Sequence, residues 1–150
     1  MTFGKAAFFD ESPKRGTVGW VRTFVVAAAL LAATPSPAQV VRAWSKALNA
    51  DDNAAAGALF APNARVVQGP LDVHLRTRAL AVRFNAALPC AGKVVELRVS
   101  GDRVTATFLL GERPQHHCDA PGTKAAALFE IRNGKIVLWK QIPVPGGVPA

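Results

Sequence analysis

The chain has no tyrosine, one methionine and only two cysteines. Without a phenol, no step that needs a tyrosine as proton donor can run here. Two cysteines, Cys90 and Cys118, allow one disulfide at most and exclude a disulfide-dense scaffold or a four-thiolate metal site. In an oxidising compartment the pair reads as one disulfide; in a reducing one it reads as two buried thiols. Acidic residues are scarce, 10 Asp and Glu against 18 Lys and Arg, for a net charge of +8. The basic residues are scattered. Their densest group is Arg76, Arg78 and Arg83 on an expected helix, with no long basic run and no interleaved aromatics. That pattern predicts a solvated basic surface and no nucleic-acid partner. Ser/His/Asp arrangements, glycine-rich phosphate loops and internal repeats are also missing, so no cofactor is expected. Half of the residues are hydrophobic, enough for one domain with a real core.

Residues 1–38 read as a signal peptide. Lys14, Arg15 and Arg22 precede the uncharged, mostly apolar stretch T-F-V-V-A-A-A-L-L-A-A at 23–33, and Ser36-Pro37-Ala38 supplies small residues for cleavage. The apolar stretch is short for a membrane span, so export is the first expectation and an uncleaved N-terminal membrane anchor the second. The mature chain is expected to begin at or near Gln39 and to have no further membrane contact. A domain is expected over residues 39–143, followed by a Pro/Gly-rich tail at 144–150 that cannot continue a strand. From Gln39 onward, 14 Lys and Arg against 8 Asp and Glu leave a net +6.

Three helices come first in the mature chain. Val40, Val41, Trp44, Ala47 and Leu48 make one apolar stripe over residues 39–50. Asp51 or Asp52 can cap an alanine-rich second helix running to about Phe60, with Leu59 and Phe60 as its anchors. Short strands follow at 64–68 and 71–75. Thr77 can cap a third helix over 78–88, anchored by Leu80, Phe84 and Leu88. The rest reads as strands. Residues 93–100 alternate, placing Val95, Leu97 and Val99 on one face, and residues 104–110 return with Val104, Ala106, Phe108 and Leu110. A polar loop holds His116, His117 and Cys118.

The last hairpin turns at Asn133-Gly134, which favours a type I′ turn. Counted straight from that turn, Phe129 meets Leu138 and Leu128 meets Trp139, so both faces carry apolar side chains and need cover. Helices can cover one face. The other predicts a symmetric homodimer. Helices first and strands after predict an α+β fold: three N-terminal helices packed on a strongly curved, mainly antiparallel sheet, a cone whose open end can hold a ligand.

Three stretches carry a family resemblance: V-V-R-A-W-S-K-A-L-N-A-D-D at 40–52, A-L-F-A-P-N-A-R-V-V-Q at 58–68 and F-E-I-R-N-G-K-I-V-L-W at 129–139. They resemble the nuclear-transport-factor-2-like superfamily, which includes SnoaL-like polyketide cyclases, ketosteroid isomerases and limonene epoxide hydrolases. The resemblance implies the cone-shaped α+β fold. It also implies that Trp44, Gln68, Trp139 and Gln141 face the cavity, and that Cys90 and Cys118 lie close together. The ketosteroid isomerase roles are not retained. The tyrosine donor of that family corresponds to Trp44, its aspartate base to Gln68 and its neutral carboxylic acid to Ala127, none of which can substitute. Against the epoxide hydrolases, the Trp-Arg-Asp of the last strand becomes Trp139-Lys140-Gln141, with Arg98 and Asp102 as distant candidates for the rest of the set.

Two other groups bear on chemistry. Asp72 and His74, two apart on an extended stretch, share a face and are the candidate acid–base pair. His116, His117 and Asp119 lack metal-ligand spacing, so no metal is expected. The favoured reading is an exported domain whose cavity binds a small, uncharged, apolar molecule. One alternative is an isomerase, cyclase or epoxide hydrolase on an apolar substrate, using Asp72, His74 or His117. The other is a dimerisation module with a filled cone.

Overall fold

The structure, a computed structural model, describes residues 33–147. Most of the expected signal segment, residues 1–32, lies outside the described residues. Helix α1 spans Pro37–Asn49, α2 Asn53–Ala58 and α3 Arg78–Ala87. The strands are β1 Phe60–Gln68, β2 Leu71–Leu75, β3 Ala91–Ser100, β4 Arg103–Gly111, β5 Lys124–Arg132 and β6 Lys135–Ile142. They form one six-stranded sheet in the order β2-β1-β6-β5-β4-β3, antiparallel except for the parallel pair β1–β6. The three helices cover its concave face, giving the expected curved α+β cone. Among the described residues no helix is long and apolar enough to cross a membrane.

Local chemistry explains the helix ends. Ser36 caps α1 through a capping box with Gln39, accepting the Gln39 N–H at 3.2 Å while its own N–H donates to Gln39 Oε1 at 2.8 Å. A chain cut directly before Gln39 gives up that cap, worth about 1 kcal/mol. Asp52 and Thr77 cap α2 and α3. The second helix ends earlier than its sequence suggests, at Ala58. Ile136 N–H donates to Leu59 O at 2.8 Å and Phe60 pairs with Ile136, so the sheet takes Leu59 and Phe60 from the helix. Gly57 lets α2 lie against α3. A Cβ there would stand 3.0 Å from the backbone nitrogen of Val82.

Two bulges correct the face assignments. In β6, Ile131 pairs with Ile136 but Glu130 pairs with Leu138, leaving Val137 as an extra residue. Phe129 therefore lies opposite Trp139, and both point inward. The outer face then holds Leu128, Glu130, Leu138 and Lys140, a mixed surface. In β3 the extra residue is Val95, between the pairs Val94–Phe108 and Glu96–Thr107. Val94 and Leu97 pack on the core, while Val95 and Val99 are exposed. The turn itself is as expected, with Asn133 and Gly134 both at positive φ, 50° and 72°.

The core is organised around Trp44. Its ring meets Phe108, Phe129 and Trp139 at centroid distances of 5.8, 5.3 and 6.3 Å. Its Nε1–H donates to Oδ1 of the fully buried Asn85 at 2.7 Å, and Asn85 Nδ2 donates to Ala81 O at 2.8 Å. Cys90 and Cys118 form a disulfide, S–S 2.08 Å, joining the entry to β3 with the β4–β5 loop.

Asn85→Leu keeps the branched shape but leaves the Trp44 donor buried without an acceptor, so the domain should lose about 1–3 kcal/mol. The check is the midpoint of chemical denaturation; a midpoint equal to the parent's refutes the dependence. The disulfide closes a separation of 28 residues. Its reduction should cost about 3–4 kcal/mol in the chain-entropy model, read from unfolding with and without reductant. Non-reducing peptide mapping of protein recovered outside the cytoplasm should find the two cysteines joined.

Candidate functional site

Between the helices and the concave face lies a cavity of about 270 Å³. Strand alternation decides which side chains reach it. Val66, Trp139 and Phe129 form a row across β1, β6 and β5, all pointing inward. Two residues further along their strands are Gln68, Gln141 and Ala127, nearer the open end. Gln68, Ala127, Trp139 and Gln141 line the cavity, and α1 adds Trp44 and Leu48 opposite. Phe108 and Leu110 of β4 and Leu88-Pro89 after α3 complete the apolar wall. The structure thus brings together the four side chains that the resemblance placed around one cavity.

Their hydrogen-bonding capacity differs. The indole N–H of Trp44 is spent on Asn85 and has no proton left for a ligand. Trp139 Nε1 is buried and has no acceptor among the described residues. Gln68 is half-buried and Gln141 exposed at the rim, so both amides can donate and accept. Ala127 presents only a methyl group.

Asp72 and His74 are not at this cavity. They share a face, but β1–β2 pairing sets Asp72 opposite Val67 and His74 opposite Arg65, on the convex side. Gln68 is on the concave side. Asp72 is held by Arg65 through two contacts of 2.9 and 2.6 Å, and that hydrogen bond outweighs partial burial to hold its carboxyl below the usual carboxylate range. His74 Nδ1 is 3.2 Å from Asn63 O. Arg98 pairs with Glu96 at the surface, and Asp102 is in the β3–β4 turn, so neither joins an epoxide-opening set.

The histidine loop does something the sequence did not reveal. Arg113 is buried, and its side chain ties three segments together. Its Nε lies 2.7 Å from Asp51 Oδ1, an ion pair set off the N–H axis. Its NH2 donates to Asn53 Oδ1 at 2.6 Å and its NH1 to the carbonyls of Asn85, at 2.9 Å, and Leu88. Asp51 also accepts from Gln115 N–H at 2.6 Å and meets His116 Nδ1 at 2.9 Å. Burial pushes the Asp51 carboxyl upward. The Gln115 N–H and the charges of Arg113 and His116 outweigh it, and the carboxyl sits below its ordinary value. Asp51 therefore stabilises the fold fully above pH 3.8, its unperturbed value, and less as pH falls through its lower folded value. His116 Nε2 is 2.8 Å from Ala86 O, so both ring nitrogens face acceptors, and His117 is exposed.

That anchored loop carries Asp119 to the cavity wall, beside Cys90. The sulfurs of Cys90 and Cys118 are bonded to each other and unavailable as thiolates, so their proximity to Asp119 is no metal set. Sequence reasoning missed Asp119 as a lining residue. Its one signal was adjacency to Cys118, since a disulfide to the start of β3 draws the next residue toward the same rim.

The architecture is that of the nuclear-transport-factor-2-like superfamily. A polyketide cyclase candidate from Sinorhizobium meliloti superposes with a TM-score of 0.58 at 19% identity, over 69% of this chain and 93% of that one. A hypothetical protein with a ketosteroid isomerase-like fold from Catenulispora acidiphila, in complex with trimethylamine, gives 0.56 at 21% identity over 71% and 86%. A ketosteroid isomerase candidate from Kribbella flavida gives 0.53 at 20% identity over 74% and 88%. These likenesses establish the fold alone. No curated protein matches the chain. Residues 41–139, from the first helix to the indole of the last strand, match the SnoaL-like domain, and the chain belongs to that family.

Proposed function

We propose that this SnoaL-like domain is exported and binds a small, mainly apolar molecule in its cavity, without ketosteroid isomerase chemistry. The observation that carries the reading is the lining itself. Indole, phenyl and aliphatic groups supply area, and Gln68 and Gln141 supply orientation without titrating. The three positions an isomerase would need hold Gln68, Ala127 and Trp44, whose N–H is already engaged. Each missing role typically costs about two to three orders of magnitude in rate. The basic–apolar N-terminal pattern and the disulfide support export.

A ligand of steroid or terpenoid character should quench tryptophan fluorescence on titration, because Trp44 and Trp139 both line the cavity. Turnover of a β,γ-unsaturated ketosteroid should equal the uncatalysed background. Turnover above background, lost in Asp72→Asn or His74→Ala, would restore the enzyme alternative. Absence of both quenching and turnover would favour a filled cone and the dimerisation module.

Assembly as a homodimer through the convex face belongs to the same proposal. Leu109 is exposed there, with Leu128 and Leu138 half-buried beside Glu130 and Lys140. Sedimentation should give a dimer at micromolar concentration, and a monomer there would count against it.

A further inference from the structure

We propose that the ligand of this cavity carries a cationic nitrogen, an amine or alkylammonium head, which Asp119 reads at the rim. The inference rests on the binding reading above and gives that mainly apolar ligand a charged head, where the sequence alone predicted an uncharged one. Among the residues that line the cavity, Asp119 has the only ionisable side chain, since Cys90 is in the disulfide.

The other carboxylates among the described residues are otherwise occupied or elsewhere. Asp51, Asp72, Glu96 and Glu130 each pair with an arginine. Glu112 accepts the Cys118 N–H, Asp52 caps α2, and Asp102 is in a turn outside the cavity. Asp119 has no ion-pair partner among the described residues. Its near contact is Cys90 Sγ at 3.6 Å, and a disulfide sulfur has no proton to give. In a chain with so much excess base, an unpaired carboxylate on an aromatic cavity is the complement of a cation.

The surroundings suit such a ligand. The rings of Trp44, Phe108 and Trp139 line the cavity and offer apolar area for its carbon body. The side-chain carbonyls of Gln68 and Gln141 can accept N–H bonds. Asp119 is also preorganised. The disulfide pins the preceding residue, and the Arg113–Asp51–His116 network fixes the base of the same loop. Because Asp119 is exposed, the attraction is partly screened by water and salt.

The test compares phenethylamine, cationic at neutral pH, with the similarly sized neutral phenethyl alcohol. Both are titrated into the disulfide-intact domain and followed by tryptophan fluorescence and calorimetry. The amine should bind tighter by about three- to ten-fold, with the margin shrinking as salt rises. Asp119→Asn should remove the margin between the amine and the alcohol. Asp119→Lys should reverse it, so that phenylacetate binds tighter than the amine. Equal affinities in the parent, or a margin that survives Asp119→Asn, overturn the inference while the cavity reading stands. Binding of neither compound overturns both.

Discussion

One extra residue in the last strand decides what this cavity is. Val137 bulges from β6, and every side chain beyond it changes face. Trp139 turns inward opposite Phe129 and beside Val66, and Gln141 follows it to the rim. Without the bulge, Leu138 would face the helices and the indole would face away from them. The inward indole is what Trp44 and Phe84 pack against, at centroid distances of 6.3 and 5.2 Å. Helix seating and cavity lining thus depend on the same irregularity.

The mouth is held from two directions by interactions of different kinds. The disulfide is a covalent tie that acts chiefly on the unfolded chain. The Arg113 cluster acts in the folded state. A buried guanidinium is costly unless its donors and its charge are met; here two backbone carbonyls and an amide oxygen accept from its two terminal nitrogens, and the Asp51 carboxylate balances its charge. Those partners come from the α1–α2 turn, the start of α2 and the end of α3. A loop that looks polar and unstructured in sequence is therefore fastened to all three helices. A rim held in this way can present a charge at a fixed place, which a mobile loop could not.

Fold and chemistry separate cleanly in this protein. The cone survives at about one residue in five identical to its structural neighbours, because curvature, helix cover and an apolar interior tolerate many sequences. Reaction chemistry does not. An isomerase reaction needs a proton acceptor at one position and donors at two others, positions that the resemblance matches here to Gln68, Trp44 and Ala127.

The helices, strands, last turn and family were legible in the chain itself, since periodicity, caps and Asn133-Gly134 act locally. The signatures around Trp44, Gln68 and Trp139 carried enough of the family to place those residues at a cavity. The failures were nonlocal. The second helix lost Leu59 and Phe60 because β6 offered them sheet hydrogen bonds, which propensity along the chain cannot register. Asp72 and His74 shared a face as expected, but pairing with β1 set that face on the convex side. The bulges at Val95 and Val137 reversed or shifted faces, because cross-strand packing rather than alternation chose the register. Arg113 was silent in sequence, since its partners come from residues 25 to 62 positions away. Asp119 became a cavity residue only when folding closed the disulfide beside it. Local preference made the elements, and long-range pairing decided which side chains face the cavity.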